Sequence, residues 1–117
     1  MNFEPTNLPI ENKYPKLVRD NIPNLIEART GILPNTKIIA DDTEFLKYLL
    51  KKVIEESSEL EYSLEKGNMK EELADLFELI TALLALKGWT MEDITVVQKA
   101  KREKNGGFDK RILMLNK

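Results

Sequence analysis

Apolar side chains recur along this chain at three- and four-residue intervals, the spacing of one face of an α-helix. Leu46, Leu49, Leu50, Val53, Leu60 and Leu64 form one such stripe, and Leu73, Leu76, Ile80, Leu83 and Leu84 form a second. The punctuation agrees. Asp41, Asp42 or Thr43 can cap the first of these helices and Gly67 stops it; Asn68 can cap the second, which runs to Lys87 and ends at Gly88. A shorter helix begins near Asn21, tolerates Pro23 in its first turn and ends at Thr30-Gly31. Thr90-Met91-Glu92-Asp93 has the form of a capping box with Asp in place of Glu, and opens a last helix through Ile94 and Val97 to about Arg102, broken by Asn105-Gly106-Gly107. Thr36 to Ile39 is a weak strand candidate. Residues 1–15, with Pro5, Pro9 and Pro15, form an irregular or extended arm, and Phe108 to Leu115 a mixed tail whose Ile112, Leu113 and Leu115 need burial. The pattern predicts an all-α, four-helix domain over residues 16–117.

Four carboxylates interrupt this pattern. Glu56 with Glu59, and Glu72 with Asp75, are i,i+3 pairs on the two longer helices. At roughly 100° of rotation per residue, Glu56 borders the first apolar stripe, Glu72 falls inside the second and Asp75 marks its edge. The short connection at Gly67-Asn68 folds the two helices back as antiparallel neighbours, bringing both pairs to one seam. Ionised carboxylates that converge out of water repel one another and pay desolvation, and a hard divalent cation removes both penalties. Mg²⁺ is the first choice for an all-oxygen set, Mn²⁺ the second. The competing reading is a solvated acidic face of Glu55, Glu56, Glu59 and Glu61 with Lys52 paired to Glu56 at i+4; it accounts for Glu55 and Glu61 and leaves Glu72 unexplained.

Composition narrows the chemistry. The chain has 117 residues, 42% of them hydrophobic, and contains neither cysteine nor histidine. That excludes a disulfide framework, thiolate metal sites and histidine catalysis, leaving carboxylates, Lys, Arg, Tyr and metal-bound water. The formal net charge of −2 conceals an uneven distribution: Asp42 to Asp75 holds ten acidic and five basic residues, Gln98 to Lys117 seven basic and two acidic. The middle attracts cations and the C-terminal segment attracts anions, either phosphates or, nonspecifically, nucleic acid. No leader pattern and no membrane-spanning apolar run is present, so a cytoplasmic location is expected. Phe45, Tyr48 and Phe77 lie off the main stripes, which favours a homodimer or homotetramer that covers them, although they can equally pack on the arm or tail.

Glu55-Glu56-x-x-Glu59 followed by Glu72-x-x-Asp75 resembles the E-E-x-x-E and E-x-x-D blocks of the all-α nucleoside triphosphate pyrophosphohydrolases, the superfamily of MazG, dimeric dUTPases and phosphoribosyl-ATP pyrophosphohydrolases. Lys16-Leu17-Val18-Arg19-Asp20-Asn21-Ile22-Pro23 is similar to the KLVRDKIP opening of its MazG-like, phosphoribosyl-ATP pyrophosphohydrolase-like branch. Asn105-Gly106-Gly107-Phe108-x-Lys110-Arg111-Ile112-Leu113 is similar to that branch's RGGFxKRILL ending, with Asn105 where the branch often has Arg. The resemblance spans about residues 16 to 115 and implies a MazG-like four-helix fold with short irregular or extended terminal segments.

It further implies that Glu56, Glu59, Glu72 and Asp75 hold Mg²⁺, and that water attacks the α-phosphorus of a nucleotide to give a monophosphate and pyrophosphate. Glu56 is then also a catalytic carboxylate. Glu55 matches the motif's first Glu, but its place on the far side of the helix leaves a surface charge and a catalytic or orienting role both open. Arg19, Lys101, Arg102 and Lys104 are the candidates for holding the polyphosphate, Lys101 and Arg19 foremost. Gly106 and Gly107 serve either a phosphate or, more commonly, a helix stop and turn. Trp89 and the tyrosines are expected in the core rather than stacked on a base. The expected function is therefore a Mg²⁺-dependent nucleoside triphosphate pyrophosphohydrolase, with a house-cleaning role among its possibilities. Phosphoribosyl-ATP hydrolysis and a non-enzymatic helical module that binds nucleotide or a partner are the alternatives, and a membrane or nucleic-acid partner is disfavoured.

Overall fold

The computed structural model describes residues 14–117, and in them the chain forms four helices: α1 (Ile22–Thr30), α2 (Asp42–Lys66), α3 (Met69–Lys87) and α4 (Met91–Asn105). The predicted arm lies outside the described residues except for Tyr14 and Pro15. No strand is present among the described residues; Thr36 to Ile39 is irregular, since a single short extended segment finds no partner strand to satisfy its backbone.

The helix boundaries fall where the local chemistry puts them. Asp41 accepts from the Glu44 amide at 2.8 Å and starts α2. Gly67 ends it in the left-handed conformation, φ 73°, which a side chain would oppose. Thr90 and Asp93 exchange hydrogen bonds of 3.1 and 2.7 Å, completing the capping box of α4. That helix runs on to Asn105, three residues past Arg102, until Gly106 takes φ 84°. Asn68 stands at the start of α3 but does not cap it with its side chain. Its amide donates instead to Glu72 Oε1 at 3.1 Å: a buried carboxylate needs a donor more than an end amide open to water does.

The core is the antiparallel α2–α3 hairpin, where Leu49, Tyr62, Leu79 and Leu84 are buried. The face of α2 turned inward is not the centre of its leucine stripe. Leu49, Glu55, Tyr62 and Ser63 are buried, whereas Leu50, Ile54 and Leu64 are exposed. The helix is thus rotated so that the carboxylate-bearing flank meets α3. On α3 the rotation is smaller: Glu72, Leu79 and the stripe's Leu84 are buried, while Leu73 and Ile80 of the stripe are exposed. A helical wheel finds the direction of greatest apolarity, and here part of that direction stays exposed.

Helices α1 and α4 have no buried residue. Trp89, Val97, Phe108, Ile112, Leu113 and Leu115 are all more than half exposed, so the burial predicted for the tail and for Trp89 is not met within one chain. The radius of gyration is 17.9 Å, against about 13–14 Å for a compact domain of this length. No helix of the described residues is long and apolar enough to cross a membrane.

Candidate metal centre

Glu56 from α2 and Glu72 and Asp75 from α3 come together, one oxygen of each within 4.8 Å of the others. Antiparallel packing produces this directly, since Glu72 and Asp75 are one turn apart on the face that meets α2. Glu72 is 9% exposed. Its Oε1 takes the Asn68 amide, but its Oε2 is buried without a hydrogen-bond partner, as is Asn68 Oδ1 beside it. Two orphaned acceptors next to converging carboxylates are what a bound cation or its water would satisfy.

Electrostatics point the same way. Desolvation by burial raises the Glu56 pKa from 4.5 to about 7, assisted by the charges of Asp75 and Glu72 and a carboxyl contact with Glu72, and opposed by Lys52. Without a cation, Glu56 is about half protonated near neutral pH. Three oxygen ligands from two rigid helices fit Mg²⁺ or Mn²⁺, which retain further positions for water and phosphate.

Glu59 is not a member of that three-carboxylate group; it pairs with Lys66 at 3.7 Å, toward the end of α2. Glu55 departs from the reading as an outward-facing charge. It is 2% exposed and ion-paired with Lys52, which also lies 3.8 Å from Glu56. Rotation of α2 brings this flank inward, and Lys52 follows to neutralise it. Lys52 is thereby a part of the site that sequence reading treats only as a surface i,i+4 partner; its position one turn before each glutamate is the available signal.

Arg19 reaches the cluster from the segment before α1, donating from Nη2 to Asp75 Oδ1 at 2.6 Å. The segment and α1 form one wall of a cleft of about 1010 Å³ whose other walls are α2 and α3. Phe45, Leu49, Lys52 and Glu56 follow one another along the α2 wall, and Asp75, Leu79, Ala82 and Leu86 along the α3 wall. Because the helices are antiparallel, Glu56 and Asp75 share one end and Phe45 and Leu86 the other, about 16 Å away at 1.5 Å per residue. The cleft is graded, ionic at one end and apolar at the other.

Lys101, Arg102 and Lys104 line no part of this cleft. All are exposed on α4. Arg102 turns back to Asp109 at 3.3 Å and lies over Gly107, where any Cβ would collide with its guanidinium. That guanidinium is the far end of an exposed, flexible side chain, which can swing aside. The chain has no match among models of protein families, curated proteins or solved structures.

Proposed function

We propose that this chain is a Mg²⁺-dependent nucleotide pyrophosphohydrolase that cleaves a nucleoside triphosphate to a monophosphate and pyrophosphate. The observation that carries the proposal is the convergence of Glu56, Glu72 and Asp75, with a buried unpartnered oxygen on Glu72, at the ionic end of a graded cleft. A nucleotide has the same grading, polyanionic at one end and apolar and planar at the other. The blocks that resemble the all-α nucleoside triphosphate pyrophosphohydrolases contribute these three carboxylates and Arg19, and that resemblance supplies the reaction.

Glu56, Glu72 and Asp75 would hold the metal, which when bound supplies charge neutralisation of the triphosphate and acidification of water. Arg19 and Lys52 flank the same end and offer positive charge to phosphate oxygens. Glu55 holds Lys52 against Glu56 and is assigned an orienting role. The raised pKa of Glu56 belongs to the metal-free cluster; with a cation bound, this carboxyl would stay ionised, as a ligand and as an acceptor for a proton from water. Phe45, Leu49 and Leu79 keep the far end apolar, where a base would shed water.

The active form is proposed to be a homodimer or homotetramer. The exposed leucine flanks of α2 and α3, together with α4 and the tail, form the surface that association would cover, and α4 carries the basic residues that the single chain's cleft lacks. The test is pyrophosphate release from a panel of canonical and modified nucleoside triphosphates and phosphoribosyl-ATP, with Mg²⁺ and with chelator. Mg²⁺-dependent release by the parent and its loss in Glu72→Gln, with helix content retained, is expected; release that survives Glu72→Gln refutes the site. Turnover confined to phosphoribosyl-ATP assigns that reaction instead, and metal-independent binding without turnover favours a binding module.

A further inference from the structure

We propose that Arg19 is a counter-ion that metal displaces and phosphate then captures, so that this one side chain couples metal binding to anion binding; the proposal rests on the metal-site reading above. In the metal-free cluster, two cations face three carboxylates, and they are held differently. Lys52 is fixed by the buried Glu55. Arg19 has a single carboxylate contact, Asp75 at 2.6 Å, and its side chain is 55% exposed. Its residue belongs to the irregular stretch before α1, on the opposite wall of the cleft. Its guanidinium can therefore leave Asp75 by rotating about its own side-chain bonds, with no movement of α2 or α3.

A divalent cation among Glu56, Glu72 and Asp75 draws on the carboxylate that Arg19 uses and places two positive charges beside the guanidinium. The two cations compete for Asp75. Metal binding thus weakens the Arg19–Asp75 pair, and the freed fork of N–H donors lies at the ionic end of the cleft, where a phosphate chain would enter. An anion arriving there finds Arg19 released only when metal is present, and by reciprocity an anion that holds Arg19 away from Asp75 favours the metal.

Removing the side chain must then act in opposite directions on the two ligands, which a purely structural ion pair would not do. The experiment uses the full chain and measures Mn²⁺ binding by titration calorimetry without anion, then binding of the Mn²⁺ complex of tripolyphosphate. Arg19→Gln is expected to tighten Mn²⁺ about two- to fivefold, the scale of a lost exposed ion pair, and to weaken the tripolyphosphate complex about tenfold or more, the scale of a lost charge-assisted hydrogen bond. Arg19→Lys, which keeps the charge without the fork, should fall between parent and Gln variant in both titrations. Mn²⁺ affinity that is unchanged or lower in Arg19→Gln, or unchanged tripolyphosphate affinity, overturns the coupling while leaving the metal site standing. A parent that binds no Mn²⁺, or Mn²⁺ binding that survives Glu72→Gln, overturns the metal site and the coupling with it.

Discussion

Replacing Glu56 by Gln should make the metal-free protein more stable above neutral pH and the metal-loaded protein less stable. The folded Glu56 carboxyl titrates at about 7, against 4.5 for the ordinary group. Between these values the folded state holds a proton that the unfolded state has released. Stability therefore falls as pH rises through this window, by up to about 1.4 kcal/mol per pH unit, and levels off above 7. The full loss is about 3 kcal/mol. Gln carries no titrating proton, so the variant escapes this loss. In chelator the stability difference between variant and parent should grow by about 2–3 kcal/mol from pH 4.5 to pH 8. Metal in large excess reverses the order: at a hundredfold over its dissociation constant it stabilises the parent by about 2.7 kcal/mol, which only cancels the variant's gain, and at a thousandfold by about 4.1 kcal/mol, while the variant lacks a ligand to hold it. Urea unfolding at fixed protein concentration, at both pH values and with chelator or Mg²⁺, reads all four combinations. If parent and variant lose stability in parallel between the two pH values in chelator, burial of an ionised Glu56 is not the source of strain in this cluster.

Other expectations follow from the same geometry. If α4 of a second copy supplies the missing cations, Lys101→Ala and Glu72→Gln will each be inactive alone, and mixing them after subunit exchange will restore part of the pyrophosphate release; no recovery would place Lys101 outside a shared site. Leu113→Asp puts a charge on the exposed tail, and light scattering should show a mass that drops from a multiple of 13.5 kDa toward that of one chain; a parent that is already monomeric removes the need for a partner surface. Thr90→Ala deletes one arm of the capping box and should lower stability by about 1 kcal/mol, read as a shift in urea midpoint with helix content unchanged.

Much of this molecule is decided locally. Asp41, Thr90, Asp93, Gly67 and Gly88 act on backbone groups within four residues of themselves, so the number, type and limits of the helices follow from the sequence. The antiparallel hairpin follows as well, because a Gly-Asn turn leaves α3 no other course. Within that hairpin, the i,i+3 spacing of Glu72 and Asp75 and their place on the apolar arc were sufficient to put two carboxylates on the seam.

What needed the tertiary structure was the rotation of each helix about its own axis. Periodicity gives the most apolar direction, while packing turned each helix partly away from it, burying Glu55 and leaving Leu50, Leu64, Leu73 and Ile80 exposed. That rotation depends on how two surfaces interlock and on what else must be covered, which no single helix encodes. It decides that Glu56 rather than Glu59 joins Glu72 and Asp75, and that Lys52 is drawn in with Glu55. The Arg19–Asp75 pair, 56 residues apart, is likewise a product of chain folding alone. Sequence determined which chemistry the chain possesses, because residue type sets charge and ligand character. The fold decided which of those groups meet, because only packing sets distance.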